Sequence, residues 1–568
     1  MIKLRIHGAA GTVTGSMHEL YTDDGELRVL IDCGAFQGED EQNKEASFPF
    51  DPSTVTHVLL THAHLDHCGR LPELVRAGFC GTVISTRMTL RLARASLKDA
   101  VHLTDSFSEE DVRKLFGNAA VALGEGGSHT KSSPRWFVDR TCYSKPMPLY
   151  EFAEERRPTI FYRMLRSSHL LGAVGFQLNW NQSNGEDRHD IVFFGDSGPE
   201  MPNSDVLTGL ICAKNFNYAP PYGRDASSEI TVVAESTYGD REMQPSSRHE
   251  RLERLEDLLV RVSKKGKRLL IPTFSLGRTQ NLLFDIATLR DRNPALRMLP
   301  VFAPPKGTLA DKASQIYVEE VARAEMVHRG ANSTDVRVSY ANRKVWKDLG
   351  IDVTSVEGEK SARTFMRAAF GLKSVPEFPT VKRLDSQATL DELPRGSVIV
   401  ASSGMGVGGV SGRLLPEFAR AANTVLGIVG YATPKTPVGQ LRQIGQLPPE
   451  QRRRLRSQKL QFADDRSISI ASVKTEVVEL TGYSGHASRD GITELVLPLE
   501  DSKGPEIRNW PSRVLLVHGS KSARQGQRDL LQARCDEYVS DRRPVELALP
   551  KEGESFVLDS EEHLARDW

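Results

Sequence analysis

The sequence has little cysteine, no surplus of charge of either sign and no long apolar run, and each shortage closes off a class of protein. Its six cysteines, Cys33, Cys68, Cys80, Cys142, Cys212 and Cys535, are scattered through 568 residues with no CxxC pair and no dense framework of the secreted kind. They read as reduced thiols. Lysine plus arginine equals aspartate plus glutamate at 74 each, which argues against bulk adhesion to nucleic acid or membrane and leaves room for a local basic groove. No stretch approaches the ~18 apolar residues of a membrane span. Met1 to Ile6 reads as an opening strand and not as a signal peptide. A soluble cytoplasmic protein with no membrane partner follows, with room for two or more domains that each have a core.

What the chain has is a concentration of metal-ligating side chains. Val58 to Leu60 reads as a buried strand, and Thr61-His62-Ala63-His64-Leu65-Asp66-His67 follows it directly. Strand alternation would put His62, His64 and Asp66 on one face and His67 on the other, so these side chains are expected to curl through a loop at the strand's end. Such a loop can supply two metals. Imidazole and carboxylate with few sulfur ligands suit Zn²⁺, with Mn²⁺ or Fe as rivals. The bland reading is a solvated polar loop, and it is disfavoured because four unshielded ligands beside a buried strand need partners.

Further polar residues close apolar runs. Asp196 ends Ile191 to Gly195, Glu235 ends Thr231 to Ala234, and His518 ends Val514 to Val517, while His169 and His486 sit in short polar turns. Singly, each is more often structural; at strand ends of an α/β sheet, such residues converge on the edge where ligands bind. Gly8 to Ser16 lacks the lysine of a P-loop and the spacing of a dinucleotide fingerprint, so a tight turn is expected there. An amphipathic helix from Ser247 to Val262, a strand from Arg268 to Pro272 and a helix from Gly277 describe a second α/β domain. Within it, Ser402, Ser403 and Gly404 follow a strand in a Ser/Gly loop whose N–H groups could face an anion. Residues 104–157 and 323–395 read as irregular. Arg452 to Lys459 is the most basic run, either a solvated helix face or a nucleic-acid contact.

Together, His62, His64, Asp66, His67, His169, Asp196, Glu235, His486 and His518 resemble, in kind and order, the metallo-β-lactamase fold in its β-CASP branch of nucleic-acid nucleases. Gly8 to Ser16, Asp32-Cys33-Gly34, Gly69 to Pro72, Glu235 to Gly239, Pro272 to Gln280, Ser402 to Met405 and Gly430-Tyr431 also look like family blocks. The resemblance implies an α/β chain, a metallo-β-lactamase αββα sandwich with an inserted α/β β-CASP domain. The sandwich would occupy residues 1–240 and 469–568, and the insertion 241–468. It implies two Zn²⁺ ions, with Mn²⁺ as an alternative: His62, His64 and His169 would hold one, Asp66, His67 and His518 the other, and Asp196 would bridge them. Asp66, Glu235 and His486 are then the catalytic candidates, with His486 as general acid oriented by Glu235. Ser402, Ser403, Gly404 and Arg278 are the substrate-binding candidates.

Histidine at position 518 resembles family members acting on RNA, where those acting on DNA tend to have valine. The expected activity is hydrolysis of single-stranded RNA, of a type more similar to the mRNA 3′-end-processing endonucleases than to ribonuclease J. The sequence after Met405, Pro304-Pro305-Lys306-Gly307 and the basic segment at 452–459 depart from the family pattern and leave endo- or exonuclease action open. Action on DNA, or on both nucleic acids, is one alternative; a non-catalytic RNA-binding scaffold is another. The segments 104–157, 323–395 and 440–466 offer surfaces for a second copy or a protein partner.

Overall fold

Alternation of apolar and charged residues sets the first sheet. In the strand Ile2–Ile6, the residues Ile2, Leu4 and Ile6 are buried and Lys3 and Arg5 half-buried, as period-2 geometry requires. The computed structural model describes residues 1–38, 40, 47–126, 128–138, 146–152, 159–181, 188–199, 229–242, 247–323, 325–327, 336–338, 340–430, 432–462, 466–499, 510–538 and 544–558. Cys142, Cys212 and Tyr431 lie outside them.

Seven strands form the first sheet in the order Ser555–Val557, Ile2–Ile6, His18–Thr22, Arg28–Ile31, His57–Leu59, Thr82–Ser85 and Arg135–Val138. Seven more form the second, in the order Glu546–Ala548, Arg513–Val517, Glu229–Glu235, Arg188–Phe193, Val174–Asn181, Ile160–Arg166 and Met147–Tyr150. The sheets pack face to face, with Leu4, Leu20, Val29 and Leu59 of one meeting Tyr162, Phe176, Leu178 and Val233 of the other. Helices cover both outer faces: Leu71–Arg76 and Arg87–Ala100 lie on Val58 and Val83, and Arg489–Val496 and Lys521–Tyr538 on Val232 and Leu516. This is the expected αββα sandwich.

A third sheet holds six parallel strands, Val381–Arg383, Val301–Ala303, Val398–Ala401, Arg268–Pro272, Thr424–Val429 and Glu476–Leu480. Its central strands are apolar on both faces, because helices cover both. Leu269 and Ile271 meet Arg248–Lys264 and Arg278–Arg292, while Leu270 meets Gly409–Arg420 and Pro437–Gln446. Ser247 starts the first of these helices by a reciprocal capping box with Glu250, so the sequence places that boundary locally.

Three expectations change. The strand Glu476–Leu480 pairs with Thr424–Val429, so the inserted sheet runs past residue 468, the boundary read from the sequence. Residues 104–157 are not simply irregular: Ser108 caps the helix Glu109–Leu115 and Gly124, in the left-handed region at φ 71°, ends Ala119–Leu123. Within 323–395, Val356–Ala369 is an amphipathic helix that buries Ala362, Phe365, Met366 and Ala369, and Val381–Arg383 is an edge strand of the inserted sheet. The two units share apolar packing through Leu170, Leu171, Leu276 and Tyr317. Arg87 and Arg91 of the sandwich both pair with buried Glu320 of the insertion, at 3.1 and 2.5 Å.

Candidate metal centre

The centre sits where strands of all three sheets end. After His57–Leu59 the chain turns through Thr61 to His64 into a short helix, Leu65–Cys68, which turns His67 inward. Asp32, ending the neighbouring strand, takes a left-handed backbone at φ 62° and aims its carboxylate back at this turn. It accepts hydrogen bonds from Thr61 N at 2.8 Å, Thr61 Oγ1 at 2.8 Å and His67 Nδ1 at 2.7 Å. Gly34 follows because nothing larger fits: a Cβ there would stand 1.7 Å from the Asp66 carbonyl oxygen. Gly34→Ala is therefore expected to cost about 1–3 kcal/mol of stability by displacing the turn. Thermal unfolding checks it, and an unchanged midpoint would show that the turn moves freely.

The expected ligands come together. One nitrogen or oxygen each from His62, His64, His169 and Asp196 lies within 4.8 Å of the others, as do those of Asp66, His67 and His518 and those of Asp196, Glu235 and His486. His64 Nδ1 is 3.1 Å from both His62 Nε2 and His169 Nε2. Asp196 divides its carboxylate: Oδ2 stands 3.5 Å from His62 and 3.4 Å from His169, and Oδ1 stands 3.2 Å from His67 and 3.5 Å from His518. His518 Nε2 is also 3.6 Å from Asp66.

The outer nitrogens fix which ring atom faces inward. Besides His67 on Asp32, His169 Nδ1 donates to Gly485 O at 2.6 Å, His62 Nδ1 to Thr61 Oγ1 at 3.1 Å and His518 Nδ1 to Thr237 Oγ1 at 3.2 Å. Thr237 in turn donates to Glu235. Each of these Nε2 atoms is thus turned toward the centre, the usual support of a metal-bound histidine. His64 is the exception and presents Nδ1.

These residues fit a divalent cation. Ligands 2.0–2.1 Å from a tetrahedral Zn²⁺ stand about 3.3 Å apart, close to the spacings within the cluster. Burial holds His62 and His169 well below the usual histidine range and His64 down at about 4, so they present neutral imidazoles, the form a metal requires. Burial also pushes His67 and His518 down, but Asp196 outweighs it, putting His67 well above its ordinary range and His518 at about 9. Burial would raise Asp66, yet His518 and His67 hold it at about 2, so both carboxylates of the cluster stay charged. Asp196 Oδ1 is sealed from solvent without a hydrogen bond among the described residues, a costly state that a cation would relieve.

Beside this cluster, His486 Nδ1 donates to Glu235 Oε2 at 2.9 Å, and Glu235 Oε1 accepts from Ser197 N at 2.7 Å. The Ser/Gly loop of the insertion stands one layer away: a Cβ on Gly404 would lie 2.8 Å from the Phe274 ring, on which Arg278 stacks at 4.8 Å. Ser403 Oγ is buried without a hydrogen bond among the described residues. Ser402 lends its carbonyl to Ser411 N at 2.9 Å, at the start of the helix Gly409–Arg420. Of the basic run, Arg452 spends its guanidinium on Leu447 O and Gly445 O at 2.9 and 3.1 Å, while Arg453, Arg454 and Arg456 are exposed.

Sequence reasoning gave no role to Asp32, Thr61 or Thr237. Asp32 carried the same signal as Asp196, an acid closing an apolar strand, and Thr237 stands two residues from Glu235.

Residues 20–113 match the model of the metallo-beta-lactamase superfamily, and residues 470–539 match that of the Zn-dependent metallo-hydrolase RNA specificity domain. Over 520 residues the chain is 29% identical to ribonuclease TTHA0252 of Thermus thermophilus, a match covering 90% of this chain and 92% of that protein. It is 25% identical over 512 residues to the transcription termination factor FttA of Methanocaldococcus jannaschii, covering 89% of this chain and 65% of the relative. It is 27% identical over 517 residues to endoribonuclease ysh-1 of Neurospora crassa, covering 87% and 51%. With its sandwich, its inserted parallel sheet and its converging histidines and carboxylates, the chain combines a metallo-β-lactamase domain with an RNA-specificity domain, and the relatives that share this combination over most of its length are of the β-CASP family.

Proposed function

We propose that the chain is a two-zinc ribonuclease that hydrolyses phosphodiester bonds of single-stranded RNA. The observation that carries this reading is the divided carboxylate of Asp196, whose two oxygens face different histidine pairs. His62, His64 and His169 would hold one ion, Asp66, His67 and His518 the other, and Asp196 both. When bound, the pair of ions supplies a hydroxide nucleophile at neutral pH and offsets negative charge on the phosphate oxygens. The protein's own part is to turn the imidazoles inward, through Asp32, Thr61, Thr237 and Gly485 O. Its other part is the leaving group. His486, oriented by Glu235 through Nδ1, gives a proton from its other ring nitrogen to the departing oxygen.

RNA is favoured over other esters by the match to an RNA specificity domain and by relatives named ribonuclease and endoribonuclease. The insertion, taken as residues 241–480 on the strength of its sheet, would provide one wall of a polymer cleft. Ser402, Ser403, Gly404 and Arg278 stand on that wall as contacts to the phosphate chain.

The test is to incubate the purified protein with end-labelled linear RNA, circular RNA and matched single-stranded DNA, in Zn²⁺ or Mn²⁺ and in chelator. Metal-dependent cleavage of RNA, lost in the double variant Asp66→Ala, His67→Ala, is expected. Products from the circle assign an endonuclease. RNA binding without bound metal or cleavage would replace the reading with a scaffold, and equal cutting of DNA would widen the substrate to both nucleic acids.

A further inference from the structure

Among the described residues, Arg278 stands near the centre without a counter-charge. Arg278 is the first residue of the helix Arg278–Arg292 of the insertion, and its guanidinium makes no hydrogen bond or ion pair among the described residues. Its Nη1 is sealed from solvent. The surroundings are built to hold it: one face stacks on Phe274, with the guanidinium carbon 4.8 Å from the ring centre, and the Gly430 backbone backs it so closely that a Cβ there would stand 2.5 Å from Nη1. Gly485 ties it to the metal centre. A Cβ on Gly485 would lie 3.7 Å from Arg278 Nη2 and 3.3 Å from the His169 ring, so guanidinium and imidazole both stand against one glycine. Burial pushes the Arg278 pKa down, and among the described residues only Tyr238 acts against it.

Compare two other arginines that are withdrawn from solvent, buried Arg251 and half-buried Arg87. Arg251 reaches Asp285 at 3.1 Å, and Arg87 reaches Glu320 at 3.1 Å. Arg278 is half-buried with Nη1 sealed, and a cation partly withdrawn from water without a partner carries a cost that an arriving anion offsets. The carboxylates of the metal cluster, Asp66, Asp196 and Glu235, are committed to histidines.

We propose that Arg278 is a phosphate clamp: it takes a non-bridging oxygen of the phosphodiester next to the one being cut, so that the insertion measures a polymer and not a lone ester. This rests on the phosphodiesterase reading of the centre. The neighbouring phosphate is chosen because the charge of the scissile phosphate is already answered by the cations that the histidine and aspartate cluster fits. Guanidinium suits the task, since its planar fork meets two phosphate oxygens and stacks on an aromatic ring at once.

The experiment compares wild type, Arg278→Met and Arg278→Lys on two probes: bis(p-nitrophenyl) phosphate, which has one phosphodiester, and a single-stranded RNA 10-mer. Binding of a cleavage-resistant phosphorothioate 10-mer is followed by fluorescence anisotropy across a salt series. Arg278→Met should lower kcat/KM on RNA about 10- to 100-fold and lower it on the single-ester probe by a clearly smaller factor. Its plot of log Kd against log salt should lose about one unit of slope, which Arg278→Lys restores in part. Equal loss on both probes, or an unchanged slope, would overturn the clamp. A wild-type protein that hydrolyses neither probe yet shows the Arg278-dependent slope would sink the hydrolase reading and still support the clamp.

Discussion

Asp196→Ala is expected to give a folded protein that retains at most one divalent ion per chain and cleaves RNA at least about 10³-fold more slowly than wild type. The carboxylate is buried, and its oxygens stand 3.2–3.5 Å from four histidines that fall into two sets. No other carboxylate among the described residues lies in both reaches. Without it, Asp66 is the one acid left facing the centre in the cluster of His67 and His518 among the described residues, and the set of His62, His64 and His169 keeps none. Folding should survive, because burial favours the neutral form of His67 and His518, and the loss of Asp196 leaves only Asp32 on His67 and Asp66 on His518 to oppose it. The variant therefore loses a buried anion together with the strongest support for charge on the two histidines that faced it.

Elemental analysis after gel filtration gives the ion count. Thermal unfolding gives an independent reading: at 100 times its dissociation constant, one ion adds about 2.7 kcal/mol of stability. Wild type should gain two such increments with zinc, and Asp196→Ala one or none. Asp196→Asn, which keeps one neutral acceptor oxygen, should fall between. Two ions and wild-type cleavage in Asp196→Ala would refute the bridging role.

The site was legible where the signal is local, and the partners of its ligands were not. Four ligands in six positions cannot be packed as ordinary loop polarity, and acids or histidines that close apolar strands must gather at one sheet edge. That reasoning reached Asp196, Glu235 and His518 one strand at a time. It could not show that Asp32, 29 residues before Thr61, would turn back in a left-handed conformation to hold both Thr61 and His67. Nor could it show that Thr237 would stand between Glu235 and His518, 281 residues apart from the latter. Sheet membership is likewise nonlocal. Glu476–Leu480 reads as a strand in sequence, but only its register against Thr424–Val429 assigns it to the insertion. The helices at 109–115 and 356–369 failed to register for a different reason: they are short or mostly polar, and burial of one stripe against the core stabilises them more than propensity does. Arg278 is a substrate-binding candidate in the sequence only through the resemblance, and its want of a partner among the described residues is a property of the folded neighbourhood.

His486→Ala is expected to slow RNA cleavage by roughly 10²–10⁴-fold with both ions retained. The separation from the preceding variant is chemical. His486 lies beside the ligands, 4.7 Å from the His169 ring centre, but its Nδ1 belongs to Glu235 at 2.9 Å, and its side chain keeps 14% of its exposure where His67 and His169 keep 1% and 2%. A histidine with one nitrogen tied to a carboxylate and one edge open to solvent is placed to pass a proton outward. If that proton goes to the departing ribose oxygen, its value depends on how poor the leaving group is. An alkoxide cannot leave unprotonated at neutral pH, whereas p-nitrophenolate can. His486→Ala should therefore lose less than about tenfold on bis(p-nitrophenyl) phosphate while retaining the full loss on RNA. Glu235→Gln should follow the same pattern, because it places an N–H donor where the histidine needs an acceptor, and Ser197 N still finds an oxygen to hold the side chain in place. An equal loss on both substrates would mean that His486 binds or positions the phosphate instead, and a loss of metal would return it to the ligand set with Asp196.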